Sequence, residues 1–100
     1  MSKLSDQQIN SYNEKGYISP IDVFSAEEAK EIRDEIERIE KKWPKFLEGL
    51  GRNYVHIISP IFNKACLKKK ILDAVESIIG KNILICGTTL FIKNANEKGF

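Results

Sequence analysis

The chain has 100 residues, with 16 basic and 14 acidic side chains, one histidine and a net charge of +2. This length suits one small domain with a modest core and leaves little room for a large internal cavity. The charge is too small for the phosphate-neutralising field of a non-specific nucleic-acid binder, so nucleic acid is not an expected partner.

The opening residues, Met1-Ser2-Lys3-Leu4-Ser5-Asp6, lack the apolar run of a secretory leader. Ser5-Asp6-Gln7-Gln8 has capping-box spacing: the serine hydroxyl accepts from a backbone N–H three residues on, and Gln8 reaches back. This predicts a helix to about Lys15, with Leu4, Ile9 and Tyr12 on its apolar side and Gly16 closing it. Residues 17–24 are rich in strand formers, but Pro20 has no N–H to donate, which restricts the segment to a short edge strand. Ser25-Ala26-Glu27-Glu28 repeats the capping box. Ala29, Ile32, Ile36, Ile39 and Trp43 then recur at steps of three and four, predicting a helix that buries one stripe and stops at Pro44. Its other faces are charged and read as solvated, Glu35 among them, with Asp34 and Arg38, and Glu37 and Lys41, at ion-pair spacing.

Over residues 45–63 the pattern weakens, because Gly49, Gly51 and Pro60 interrupt short apolar pieces, and Tyr54-Val55-His56-Ile57-Ile58 is the one expected strand. Leu67, Ile71, Ala74, Val75, Ile78 and Ile79 form a helical stripe that Gly80 ends. Lys81-Asn82 then turns into residues 83–93, apolar on both sides and expected as a long central strand. Residues 94–100 are loop chemistry with no closing element. The apolar runs are far shorter than a membrane span, so a soluble, cytoplasmic protein is expected, without a membrane partner.

An iron facial triad needs two histidines and a carboxylate, and His56 is the only histidine, followed by Ile57 and Ile58. It is read as a structural or surface residue, with a second-shell or substrate contact in a longer protein as the other possibility. Cys66 and Cys86 have no CxxC partner and read as small, buried, reduced hydrophobes. Lys68-Lys69-Lys70 opposes the dipole of the helix it begins and is expected in water. Gly49-Leu50-Gly51 lacks the later glycine and lysine of a phosphate loop.

The order Leu4-Ser5-Asp6-Gln7-Gln8, Lys15-Gly16-Tyr17-Ile18-Ser19-Pro20 and Phe24-Ser25-Ala26-Glu27-Glu28-Ala29 resembles the opening of the phytanoyl-CoA dioxygenase family. Ile71-Leu72-Asp73-Ala74-Val75-Glu76-Ser77-Ile78-Ile79-Gly80-Lys81-Asn82-Ile83-Leu84 looks like that family's helix and turn before its first long strand. Leu90-Phe91-Ile92-Lys93 looks like the strand end preceding its iron motif. The resemblance implies an α+β fold, with amino-terminal helices and the first strands of a double-stranded β-helix, or jelly roll. Residues 1–100 would be the amino-terminal part of a single such domain, truncated before the metal motif.

The implied activity of the complete enzyme is Fe(II)- and 2-oxoglutarate-dependent oxidation, by hydroxylation or halogenation, of an unactivated C–H bond in a small metabolite or carrier-bound substrate. The chemistry belongs to the cofactors. No catalytic or metal residue is expected in this chain, and neither cofactor is expected to bind it alone. In this reading Ile85, Gly87, Thr89, Phe91 and Lys93 share one face of the last strand, with Leu84, Cys86, Thr88, Leu90 and Ile92 on the other. Thr89 would position a polar substrate group, Phe91 would form an apolar wall, and Lys93 would meet an anion. A rival reading is a small, non-catalytic α+β protein-interaction domain. In the rival reading an unpaired edge of the long strand binds a protein partner, whereas in the truncated-enzyme reading that edge is expected to drive self-association of the isolated chain.

Overall fold

The computed structural model describes residues 3–96. Its elements are α1 (Asp6–Lys15), α2 (Ala26–Lys42), a 3-10 turn (Leu50–Asn53), α3 (Val55–Ile58), α4 (Pro60–Cys66) and α5 (Lys69–Ile79). No β-strand occurs among the described residues, which overturns the α+β jelly-roll expectation. Residues 97–100 of the expected tail lie outside the described part. No helix among the described residues is long and apolar enough to cross a membrane.

Both capping boxes form. Ser5 Oγ accepts from Gln8 N–H at 3.1 Å while Gln8 Oε1 accepts from Ser5 N–H at 2.9 Å, and Ser25 and Glu28 repeat this at 3.1 and 3.0 Å. Each such cap stabilises a helix start by about 1 kcal/mol. Gly16, at φ 82°, closes α1 by donating its N–H to the Tyr12 carbonyl, a left-handed conformation that a side chain would strain. α2 stops because Trp43 precedes Pro44, whose ring disfavours helical geometry in the residue before it.

The core lies between α2 and the α3–α4 pair, where Ile39, Leu47, Val55 and Phe62 are buried. Ile32, Ile36, Phe46 and Leu90 pack around them. The predicted stripe of α2 is thus present in its middle, but Ala29 is exposed and Trp43, beyond the last helical turn, is 48% exposed. Gly51 permits the turn to fold over Phe46: a Cβ there would stand 2.5 Å from that ring and from its carbonyl oxygen. The expected ion pairs take different partners. Asp34 meets Lys30 at 2.6 Å and Glu37 meets Arg33 at 3.1 Å, leaving Arg38 for Glu35.

Each expected strand is replaced for a physical reason. Residues 17–24, where Pro20 has no N–H to donate, run without forming a ladder. The Tyr54 to Ile58 piece coils into α3 because Val55, Ser59 and Phe62 reach the core at helical spacing across α3 and α4. Residues 83–93 lie against the 3-10 turn, which offers carbonyls but no neighbouring strand; Thr88 N–H donates to Asn53 and Leu90 N–H to Arg52, both at 3.2 Å.

α5 starts at Lys69 and Gly80 ends it as expected, but Leu67, expected in its stripe, lies before it and is exposed, as is Ile79. The chain start is fastened to it, with Leu4 N–H donating to Ser77 Oγ at 3.2 Å and that hydroxyl donating to the Asp73 carbonyl at 2.9 Å. α1 contains no buried residue. The radius of gyration is 15.7 Å, against about 13 Å for a compact domain of this length, so much apolar surface stays outside the small core.

Candidate functional site

Residues 83–93 carry Thr89, Phe91 and Lys93, the side chains that the resemblance sets toward substrate, and their placement decides what they can do. Ile83 and Ile85 turn inward while Leu84 and Cys86 are exposed; after Gly87 the inward positions are Thr88 and Leu90. Two consecutive exposed residues, Cys86 and Gly87, therefore shift the alternation by one. The single face expected to join Ile85 with Thr89 and Phe91 is split: Ile85 looks toward the helices, whereas Thr89, Phe91 and Lys93 are exposed.

Thr89 Oγ1 donates to Asn53 Oδ1 at 3.1 Å, Phe91 is 67% exposed, and Lys93 is exposed too. The three do not line the flanking clefts. One cleft, of about 480 Å³, lies among His56, Leu72, Glu76, Lys81 and Ile83. The other, of about 370 Å³, lies among Glu40, Leu47, Arg52, Leu90 and Ile92. Leu90 packs on the core, so the exposed apolar side chains of this segment are Leu84, Phe91 and Ile92.

His56 is buried at 8% exposure, with Nδ1 hydrogen-bonded to Thr88 Oγ1 at 3.0 Å and its backbone carbonyl accepting from Asn63 Nδ2 at 3.3 Å. The ring therefore pins residues 83–93 to α3. The residues present do not fit an iron centre: among the described residues no three His, Cys, Asp or Glu side chains converge to hold a metal ion. The 100-residue chain is expected to bind Fe(II) no more tightly than its His56→Ala variant at neutral pH. Calorimetry showing a stoichiometric, micromolar site that the variant loses would refute this placement of His56.

The polar centre that sequence reasoning missed is Glu35. Its carboxylate is 5% exposed rather than solvated; it accepts from Arg38 Nε at 2.6 Å and from Ser59 Oγ at 2.5 Å. Those two donors, Arg38 first, hold its carboxyl below the usual range against the opposing effect of burial. Ser59 Oγ also accepts from Phe62 N–H at 3.4 Å, so one hydroxyl caps α4 and satisfies a carboxylate on α2. With both carboxylate oxygens occupied, Glu35 is a structural joint rather than a base awaiting a substrate.

The lysine run is also engaged. Lys68 pairs with Glu28 and Lys69 with Asp73, while Lys70 is exposed. The hydrogen bond from Lys68, followed by the Ser25 backbone N–H, holds the Glu28 carboxyl down to about 2. Of the two cysteines, Cys66 is half-buried, which pushes its thiol pKa up, whereas Cys86 is exposed, contrary to expectation.

No family model, curated protein or solved structure matches the chain. The phytanoyl-CoA dioxygenase resemblance therefore rests on the residues that carry it.

Proposed function

We propose that the chain is a non-catalytic amino-terminal portion of a non-haem Fe(II), 2-oxoglutarate-dependent oxygenase similar to the phytanoyl-CoA dioxygenases. The complete enzyme hydroxylates or halogenates an unactivated C–H bond of a small metabolite or carrier-bound substrate. Its metal and 2-oxoglutarate ligands come from residues other than those described. The part played by this chain is to present residues 83–93 on a helical support, with Thr89 offering a hydroxyl, Phe91 an apolar wall and Lys93 a positive charge to the substrate side.

The observation that supports this reading is the exposure of that segment, where Leu84 is 91% and Phe91 67% exposed beside a backbone fastened through Thr88 and Leu90. Apolar surface of this kind gains about 1.5–3 kcal/mol per large side chain when covered. Reading the gene beyond the codon for Phe100 tests the proposal. An in-frame His-x-Asp, or His-x-Ala/Gly for a halogenase, within a few codons supports it, and Fe(II)-dependent consumption of 2-oxoglutarate by the longer product would complete the case. A stop codon at that point overturns it.

The same exposed segment favours a second reading, a non-catalytic module that associates through residues 83–93. The isolated chain is expected to self-associate as concentration rises, and Leu84→Lys to suppress this because a charge there discourages apolar pairing. Leu90 is unsuitable for that test, since it packs on the core. Sedimentation over a concentration series decides the matter: a monomer throughout, unaltered by Leu84→Lys, excludes this association.

A further inference from the structure

The carboxyl end of α2 carries a groove unrelated to residues 83–93. It has a volume of about 270 Å³ and is lined by Arg38, Ile39, Trp43, Phe46, Ile58 and Ser59. Trp43 is 48% and Ile58 53% exposed, although both are large and apolar. The guanidinium of Arg38 lies 5.8 Å, and the ammonium of Lys42 4.8 Å, from the centre of the Trp43 ring, so the apolar floor has a cationic rim.

The exposed carboxylates Glu37, Glu40 and Glu48 near this end of the helix are directed elsewhere. Glu37 is held by Arg33. Glu40 and Glu48 line the cleft that contains Arg52 and Leu90. Glu35 does belong to this region, bonded from the buried side to the groove residues Arg38 and Ser59, while the Arg38 side chain itself stays 54% exposed. The cations set beside the Trp43 ring are therefore Arg38 and Lys42. Arginine, tryptophan and phenylalanine are also the side chains most enriched at the centres of protein interfaces.

We propose that this groove docks an acidic peptide segment of a partner protein, which inserts one apolar side chain over Trp43 and sets its carboxylates against Arg38 and Lys42. Charge complementarity selects the occupant: the rim is cationic, and an apolar floor beneath it rewards an anchor that a purely ionic ligand lacks. The concave form favours a peptide over a bilayer, because the groove is smaller than the 300–1,000 Å³ or so of a typical small-molecule pocket and suits single side chains. The docking site does not depend on the oxygenase reading.

Trp43 is the only tryptophan in the chain, so its emission reports directly on the groove. The 100-residue chain is titrated with a synthetic peptide of glutamates flanking a Leu-Phe pair, with its glutamine counterpart as the uncharged control. The acidic peptide is expected to shift Trp43 emission saturably, and to bind about fivefold more weakly when salt is raised from about 0.05 to about 0.3 M. Lys42→Glu is expected to weaken it by a similar factor, and Ile58→Glu to abolish it, with helical circular dichroism retained in both. Equal binding of the glutamine peptide overturns the proposal, as does the absence of any shift. A shift caused by phosphatidylserine vesicles but not by the peptide assigns the groove to a membrane surface. A shift that follows chain concentration alone assigns it to a second copy, and either result overturns the peptide assignment.

Discussion

Ile39→Asp is expected to leave the chain unfolded at 25 °C. Ile39 is 1% exposed at the centre of the core, in contact range of α3 and α4 through Val55 and Phe62. Removing such a side chain costs about 2–5 kcal/mol through lost burial and the cavity left behind. An aspartate adds the cost of a buried charge for which this apolar cluster has no partner. The total rivals the whole stability of a small domain, about 5–15 kcal/mol. Glu37→Ala, at an exposed position on the same helix, serves as the control and should fall within about 0.5 kcal/mol of the parent. Urea unfolding followed by circular dichroism makes the comparison, and matching midpoints for the two variants would sink the core assignment.

Ser59→Ala should have the next largest effect. Loss of Oγ removes the α4 cap and strips one of the two donors from the buried Glu35 carboxylate. A lost cap costs about 1 kcal/mol and an unsatisfied buried acceptor about 1–3 kcal/mol, so a destabilisation of about 2–4 kcal/mol is expected at neutral pH. The acid side tests the mechanism. Glu35 has a folded pKa below its unfolded value, so its contribution is fully present above about pH 4.3 and is lost as pH falls through the lower, folded value. Glu28, held down to about 2 by Lys68, acts in the same direction. The parent therefore weakens on acidification, and its advantage over Ser59→Ala narrows toward the cap contribution alone. A gap in unfolding free energy that stays constant between neutral pH and pH 3, roughly, would mean the carboxylate is not involved.

The helices α1, α2 and α5 were legible because each carries its own punctuation: Ser5 with Gln8, Ser25 with Glu28, Gly16 and Gly80. α4 was hidden by the same rules applied too bluntly. Pro60 read as an interruption, yet Ser59-Pro60 is a cap followed by a first-turn proline, the one place in a helix where the missing N–H costs nothing. The strands were misread because β-branched residues describe a side-chain preference, whereas a strand requires a paired backbone. Residues 83–93 meet the 3-10 turn instead of another extended segment.

The candidate site was legible in part. Thr89, Phe91 and Lys93 are each exposed, but the alternation slips between Ile85 and Thr88, and nothing in a regular period of two announces that. Glu35 could have been found. It stands three residues after Ile32 and four before Ile39, inside the buried arc, a position that its charge disguises.

The location of the core in the chain also sets the order in which the protein can assemble. Ile39, Leu47, Val55 and Phe62 are near neighbours in sequence, so the loops that must close to bring them together are short and their entropy cost is small. Such local topology belongs to the fast end of folding kinetics. A nucleus formed by the middle of the chain gives α1, through Leu4 and α5, and residues 83–93, through His56 and the 3-10 turn, a surface to dock on afterwards. The segment 83–93, with Leu84, Phe91 and Ile92 exposed, then docks on a surface already formed. During the interval before it docks, the growing protein is most vulnerable to capture by other nascent chains.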